Sequence, residues 1–137
     1  MKYILGVLLF IMLIGCNNQQ PTLPEVSETF RSGGFVMRGI EGKIGFIDVP
    51  FQANKGNKYM WHLWGSKEEL DGEFKIVGYS LENQTEIEMF QIDSLSGPHN
   101  GADASTVSIM ELPSKGLWEL RAYIDNKLFE TIVIEVK

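Results

Sequence analysis

The sequence has only one cysteine, Cys16, and only two histidines, His62 and His99. A lone cysteine excludes a disulfide within the chain and a zinc site built from several thiolates. Zinc takes three or four protein ligands, so two histidines do not complete a site. We therefore expect no metal site and no cofactor, and a fold that is stabilised by packing alone.

Basic residues are also scarce. The chain has 12 Lys and Arg against 18 Asp and Glu, which gives a formal net charge of −6. An acidic surface repels the phosphates of nucleic acids and of anionic lipids. The charge therefore predicts no nucleic-acid partner, and it means that any membrane contact must come from something other than surface electrostatics.

No apolar run is as long as the roughly 20 residues of a membrane-spanning helix. The longest run extends from Tyr3 to Ile14 behind Lys2, which is typical of a secretory signal. At its end, Leu13-Ile14-Gly15-Cys16 resembles the lipobox of bacterial lipoproteins. The resemblance implies that Cys16 carries a diacylglyceryl group on its sulfur and becomes the N-terminus after cleavage. The alternative is an ordinary signal peptide with an incidental cysteine.

These features predict three segments: a lipoprotein signal peptide at residues 1–15, a lipidated cysteine with a flexible tether at 16–32, and a folded domain at 33–137. The tether prediction rests on Asn17–Glu28, which is rich in polar residues and proline and has no helical or strand period. Ordered structure is expected from about Phe35. The protein is then predicted to be held at the cell membrane, on its extracytoplasmic face.

The rest of the chain has no sustained helical period. Short apolar or alternating segments recur between Gly, Pro, Asn and Asp, a spacing typical of an antiparallel sandwich or barrel. The predicted strands are Phe35–Gly39, Ile44–Val49, Tyr59–Trp64, Phe74–Leu81, Glu86–Ile92, Val107–Leu112, Leu117–Ile124 and Leu128–Val136. Their number and spacing predict an all-β, antiparallel immunoglobulin-like β-sandwich of about seven or eight strands, without the Cys–Trp–Cys framework of true immunoglobulin domains. Asp125-Asn126 predicts a tight turn between the last two strands.

Three stretches are similar to those of small bacillus-type, Gram-positive lipoproteins with an uncharacterised extracytoplasmic domain. They are Gly42–Ile47, Lys58–Gly65, and the final part of the chain, where Ser96–Ala104 is followed by Leu112–Trp118. The resemblance covers nearly the whole mature domain. It implies a lipoprotein with an immunoglobulin-like β-sandwich and no established activity, and it supplies no catalytic residue.

The segment from Ser94 to Ser105 is the best candidate for a binding loop. It is long, contains Gly97, Pro98 and Gly101, and loops of this kind on a sandwich often bind ligands. Its candidate polar side chains are Asp93, His99, Asn100 and Asp103. Three of them could offer oxygens to Ca²⁺. The simpler interpretation is that Asn100 and Asp103 hydrogen-bond the backbone of the loop, with Gly101 at positive φ.

The strand Tyr59–Trp64 carries the second candidate site. Its side chains are large on both faces, so it is expected to be a central strand that is covered on both sides. The candidate aromatic patch consists of Tyr59, Trp61, His62 and Trp64. Such a patch could stack on a sugar or a peptide. Packing in the core is the favoured alternative, because a chain with three Trp buries most of them.

The favoured function is a non-enzymatic, membrane-anchored module that binds a protein or cell-envelope ligand through its loops. The alternative is an immunoglobulin-like protease inhibitor that presents an end loop, with Leu112–Trp118 as the candidate. A purely structural envelope protein is also compatible with the sequence. An enzyme ranks last, because no Gly-x-Ser-x-Gly nucleophile motif is present.

Overall fold

The computed structural model describes residues 15–16 and 22–137. Within them the chain forms nine strands and no α-helix. No helix of this described part reaches the length and apolarity that crossing a bilayer requires. The strands are β1 (Thr29–Ser32), β2 (Phe35–Ile40), β3 (Ile44–Ile47), β4 (Asn57–Leu63), β5 (Phe74–Ser80), β6 (Glu86–Ile92), β7 (Ala104–Met110), β8 (Gly116–Ile124) and β9 (Lys127–Val136).

The strands form two antiparallel sheets. Sheet A has the order β1-β2-β3-β4-β7, and sheet B has the order β6-β5-β8-β9. The predicted all-β, antiparallel sandwich is confirmed, and each of the eight predicted strands overlaps an observed one. The turn after β8 also forms as predicted, with Asp125 and Asn126 at positive φ. The immunoglobulin-like character of the sandwich stays a prediction.

One observed strand, β1, was not among the eight predicted strands. It lies within the segment predicted as a tether, so the prediction that ordered structure begins near Phe35 is wrong. Phe30 lies opposite Met37 in the β1–β2 ladder, and Gly33 and Gly34 make the turn with positive φ. Isolated four-residue strands are too short to be recognised from periodicity, and this one is stabilised by its ladder with β2. Residues 1–14 of the predicted signal peptide and residues 17–21 of the predicted tether lie outside the described residues.

The core lies between the inner faces of the sheets and is dominated by aromatic rings. The ring of Trp61 on β4 lies 5.2 Å from Phe46 on β3 and 6.1 Å from Phe74 in sheet B, measured between centroids. Trp118 on β8 is fully buried on the opposite wall. Each such side chain stabilises the fold by about 1.5–3 kcal/mol through burial alone. This core holds β4 rigidly, and β4 carries the site described next.

Candidate functional site

β4 separates two different environments. Tyr59, Trp61 and Leu63 point into the core between the sheets, whereas His62 lies on the outer face of sheet A, opposite Gly45 and Ser105. An outward residue on a two-layer sandwich would ordinarily face water. His62 is nevertheless fully buried. Some other part of the chain must therefore cover this face.

The cover is the segment between β6 and β7, which folds back over the outer face of sheet A. The amide nitrogen Nδ2 of Asn100 lies 3.1 Å from Nε2 of His62. The ring of His99 stacks on that of His62, with centroids 6.0 Å apart and planes 12° from parallel. Asn100 and Gly101 both have positive φ, which turns the loop back toward β7. Asn accepts this left-handed conformation more readily than most residues do.

The hydrogen bonds of His62 define its tautomer. Nδ1 lies 3.1 Å from the carbonyl oxygen of Met60, which can only accept, so Nδ1 carries the proton. Nε2 is then an acceptor, and the amide of Asn100 donates to it. Burial lowers the pKa of His62 below its ordinary value; the hydrogen bond to Met60 opposes this, and the nearby His99 adds to it. His62 is therefore a neutral, doubly hydrogen-bonded side chain.

The hairpin of β1 and β2 completes the cover from the other side. The hydroxyl of Ser32 donates to the carbonyl oxygen of Asn100 at 2.9 Å. Gly33 lies so close to the same residue that an added Cβ would stand 2.6 Å from its Cα. Phe30 lies over Gly45 and packs edge-on against Trp64 at 5.8 Å. These contacts were not predicted from the sequence, although a Gly-Gly turn flanked by Phe30 and Phe35 is a signal for a hairpin.

The loop is also fixed at its end before β7. The indole nitrogen of Trp64 donates to the carbonyl oxygen of Gly101 at 2.8 Å. The carboxylate of Asp103 accepts the backbone N–H of Gly65 at 2.9 Å. Asn100 and Asp103 thus bond outside their own loop, whereas the simpler interpretation expected bonds within it. Their use as calcium ligands is not supported, and no three acidic, His or Cys side chains of the described residues form a metal cluster.

The four candidate loop residues therefore differ in role. Asn100, which is half-buried, and Asp103, which is exposed, hold the loop in place through hydrogen bonds. Asp93 and His99 are also exposed, and they face solvent. A pocket of about 480 Å³ opens beside His99, between the loop, β4 and β7. Its lining combines polar and apolar side chains. They include Met60, His62, Ile92, Ser96, His99 and Val107.

An exposed aromatic platform on β4 is contradicted by the structure. Tyr59 is 1% exposed and Trp61 is 0% exposed, because both point into the core. Burial also raises the pKa of Tyr59 to about 12. Trp64 is half-buried and is occupied by its contacts with Phe30 and Gly101. Tyr59 and Trp61 therefore pack in the core, which was the favoured alternative. β4 is a central strand, and both of its faces are covered.

The candidate inhibitor segment, Leu112–Trp118, forms the short turn before β8 and the first residues of that strand. Both of its end residues, Leu112 and Trp118, are buried. The indole nitrogen of Trp118 donates to the carbonyl oxygen of Ser114 at 3.0 Å, which closes the turn. Pro113 and Lys115 are the exposed residues of this segment. Protease inhibition stays a prediction, with Lys115 as the most accessible charged contact.

We expect Gly33→Ala to destabilise the protein more than Gly34→Ala. Both glycines have positive φ, so either change costs about 1–2 kcal/mol of backbone strain. An added Cβ at Gly34 meets no atom within 4 Å, whereas one at Gly33 meets the backbone of Asn100. This contact should add at least about 1 kcal/mol, typical of overpacking. Chemical denaturation of the two variants measures the difference; equal values would mean that the hairpin does not press on the loop.

We expect the protein to lose stability as the pH falls from 7 to 5. The pKa of His62 is lowered in the folded state, so the unfolded chain takes up the proton first, near its ordinary pKa of about 6.5. Below that pH, protonation of His62 in the unfolded chain favours unfolding. Stability continues to fall until the pH reaches the lowered pKa of His62 in the folded state. The melting temperature measured at several pH values gives the slope. His62→Gln should flatten it, whereas the control His99→Gln should keep most of it; equal slopes in both variants would contradict this assignment.

Comparison with known proteins identifies a family but no activity. A family model described as "Domain of unknown function (DUF4871)" matches residues 19–134. A search among curated proteins finds no match. Among solved structures, the fold is similar to the crystal structure described as that of a "Putative Lipoprotein from Bacillus anthracis". The TM-score is 0.66 and the sequence identity is 26%, over 82% of this chain and 86% of that chain.

Proposed function

The chain belongs to the family described as a domain of unknown function, DUF4871, and we propose that it acts as a lipid-anchored, non-enzymatic binding module on the extracytoplasmic face of the cell membrane. The lipobox-like Leu13–Cys16 supports the anchor, as does the description of the similar Bacillus anthracis protein as a lipoprotein. Two acyl chains on one cysteine hold a protein stably at a bilayer. The ligand is proposed to be a protein or a component of the cell envelope.

The observation that carries the binding role is the pocket of about 480 Å³ beside His99. Its size lies within the 300–1,000 Å³ that is common for ligand sites. Met60, Ile92 and Val107 give it an apolar wall, and Ser96 and His99 add polar groups at its rim. This combination suits a ligand with an apolar group next to hydrogen-bonding atoms.

The rigidity of the loop supports the same proposal. The backbone of the loop is bonded to Ser32, and the loop is also bonded to Trp64 and Gly65. Ser96 and Ser105 exchange two backbone hydrogen bonds at 2.8 and 3.1 Å, which closes the base of the loop. A loop that is already fixed loses little conformational entropy when a ligand binds. Asp93 and His99 are therefore presented on a preorganised surface.

Site-specific photocrosslinking in cells tests this proposal with the full-length chain. A photoreactive residue is placed at His99, at Lys115, or at Glu88 on the outer face of sheet B, and all three positions are exposed. We expect an adduct from position 99 and none from position 88. An adduct at Lys115 alone, with a protease as the captured protein, would instead support the inhibitor alternative. Equal yields at positions 99 and 88, or no adduct anywhere, would contradict the binding role of the loop.

A further inference from the structure

The loop between β6 and β7 is a small hairpin that is held together by bonds of its own. Its two arms are joined by pairs of backbone hydrogen bonds between Ser96 and Ser105 and between His99 and Ala102. The two residues at its tip have positive φ, as in the tightest hairpin turns. Because these bonds lie within the loop, they do not depend on its contacts with sheet A.

Few bonds hold the tip of this hairpin against sheet A. The carbonyl oxygen of Asn100 accepts a hydrogen bond from the hydroxyl of Ser32 at 2.9 Å. That of Gly101 accepts one from the indole nitrogen of Trp64 at 2.8 Å. The side chain of Asn100 makes a third bond, to Nε2 of His62 at 3.1 Å. Segments held by few contacts open at a lower free energy than the whole fold, so the tip is expected to open before the core.

The third of these bonds ends on a group that can take up a proton. Neutral His62 donates from Nδ1 to the carbonyl oxygen of Met60, and its Nε2 accepts from the amide of Asn100. In the protonated form both ring nitrogens are donors. The Nε2–H group would then face the N–H groups of the Asn100 amide. Protonation therefore removes the bond between the tip and β4.

The strands around His62 offer no negative charge that would stabilise the protonated ring. His62 itself is fully buried. Lys58, on the same face of β4, is exposed and four residues away, and Lys43, just before β3, pairs with Glu69 at 3.8 Å. The residues of β1, β3 and β7 that lie on this face near His62 are uncharged: Phe30, Ser32, Gly45 and Ser105.

The loop does not supply a counter-ion either. Its titratable side chain in contact with His62 is His99, whose ring is stacked on that of His62 and disfavours a positive charge there. The carboxylate of Asp103 is turned to the N–H of Gly65. Rotation of the Asn100 amide would offer its oxygen to Nε2–H, but the positive charge would stay buried without a partner, which is costly. Release of the tip lets water solvate the ring instead.

We propose that protonation of His62 releases the tip of the loop from sheet A and so opens the pocket beside His99. The pocket lies between the loop, β4 and β7, and both histidines line it. With the tip released, the wall that the loop supplies is lost. The site is then formed at neutral pH and dismantled in acid. As a control of ligand binding, this switch rests on the function proposed above.

The pH range of the switch follows from the two environments of His62. In the docked state burial lowers the pKa of His62, whereas in the released state water solvates the ring and the ordinary pKa of about 6.5 applies. As the pH falls below about 6.5, the released state binds the proton first, and docking weakens until the lowered pKa is reached. Release needs only the tip to open, so it precedes the unfolding of the core.

The three tryptophans make release measurable apart from unfolding. The indole N–H of Trp64 donates to Gly101 in the loop, whereas those of Trp61 and Trp118 donate to acceptors outside it. The full-length chain is labelled with isotope-enriched tryptophan, and its indole signals are followed by NMR in detergent micelles from pH 7.5 to 5. We expect the Trp64 N–H to lose at least tenfold of its protection from exchange with water, while the other two keep theirs. A Trp64 signal that changes only together with the other two would overturn the proposal.

Two variants test whether His62 is the group that responds. In His62→Gln the side-chain amide does not titrate, so the protection of Trp64 should stay constant with pH; the control His99→Gln should keep the acid release. Asn100→Asp places a carboxylate beside Nε2 and stabilises the protonated ring, and Asp accepts positive φ as Asn does. In this variant the protection of Trp64 should rise as the pH falls. Wild-type acid release in either His62→Gln or Asn100→Asp would refute the switch.

Photocrosslinking from position 99 separates this inference from the proposed function. In cells suspended at pH 7.5 and at pH 5, we expect the adduct yield to be at least tenfold lower in acid, and to be constant in the His62→Gln background. Acid release of Trp64 without any adduct at either pH supports the switch and contradicts the binding role. Equal adduct yields at both pH values contradict the switch as a control of binding and leave the binding role intact.

Discussion

Trp61→Ala is expected to lower the free energy of unfolding by about 3–5 kcal/mol, as removal of a large aromatic ring from a packed core does. Trp61 is fully buried among Phe46, Phe74 and other core rings. Small domains are stable by only about 5–15 kcal/mol, so this one change removes a large part of the total. Urea denaturation, followed by circular dichroism, measures the loss. The control Trp64→Ala removes a half-buried ring of the same type and should cost clearly less.

A second set of variants tests the hydrogen bond that the indole ring of Trp61 makes. The indole nitrogen of Trp61 donates to the buried hydroxyl of Ser108 at 2.9 Å. Trp61→Phe keeps much of the ring but leaves this hydroxyl without its donor, which costs about 1–3 kcal/mol. Ser108→Ala in the Trp61→Phe background should recover part of that loss. If Trp61→Ala costs no more than Trp64→Ala, the central role of Trp61 in the core is wrong.

Cys16→Ser is expected to abolish acylation completely. Cys16 is the only cysteine of the chain and is exposed. A serine hydroxyl cannot replace the sulfur to which the diacylglyceryl group is attached. Because cleavage is expected to follow lipidation, the variant should also keep residues 1–15. Metabolic labelling with a fatty acid and intact-mass measurement of the purified protein report the two effects separately.

Two further chains complete this experiment. Thr22→Ser changes a nearby exposed residue and should keep both the label and the wild-type mass. A chain with residues 1–15 exchanged for a general secretory leader, and with Cys16→Ser, should be released into the medium. A wild-type protein with an unmodified thiol at Cys16, or with an uncut leader, would contradict the proposed anchor and with it the proposed location.

The strands were predictable because their signals are local. Alternation along Leu117–Ile124 and the Asp125-Asn126 turn indicate the last hairpin without any knowledge of its neighbours, and β8 and β9 form there. β1 escaped prediction because four residues carry too little periodicity. Its Gly-Gly turn was visible, but its pairing with β2 depends on contacts such as Phe30 with Trp64, which are remote in sequence.

The arrangement of the candidate site was less predictable. The sequence indicated the loop and its residues Asn100 and Asp103, because glycine, proline and Asx residues mark a long turn. It did not indicate that Asn100 donates to His62, which lies 38 positions away, or that the loop covers the outer face of sheet A. Likewise, alternation cannot say which face of β4 packs between the sheets and which is covered by the loop, since both faces carry large side chains. Those facts depend on tertiary packing.

The bond between Ser27 and Val133 has a consequence for how the protein matures. Ser27 donates its backbone N–H to the carbonyl oxygen of Val133 at 2.9 Å. The Oγ of Ser27 accepts the N–H of Val133, likewise at 2.9 Å, across 106 positions of sequence. In a chain exported N-terminus first, as we propose for this protein, Ser27 emerges well before Val133. The bonds between Ser27 and β9 therefore cannot form until Val133 has emerged, and contacts between such distant positions form slowly. Until then β9 lacks its contacts with the segment around Ser27. We expect a chaperone or a protease outside the membrane to act on the chain during this interval.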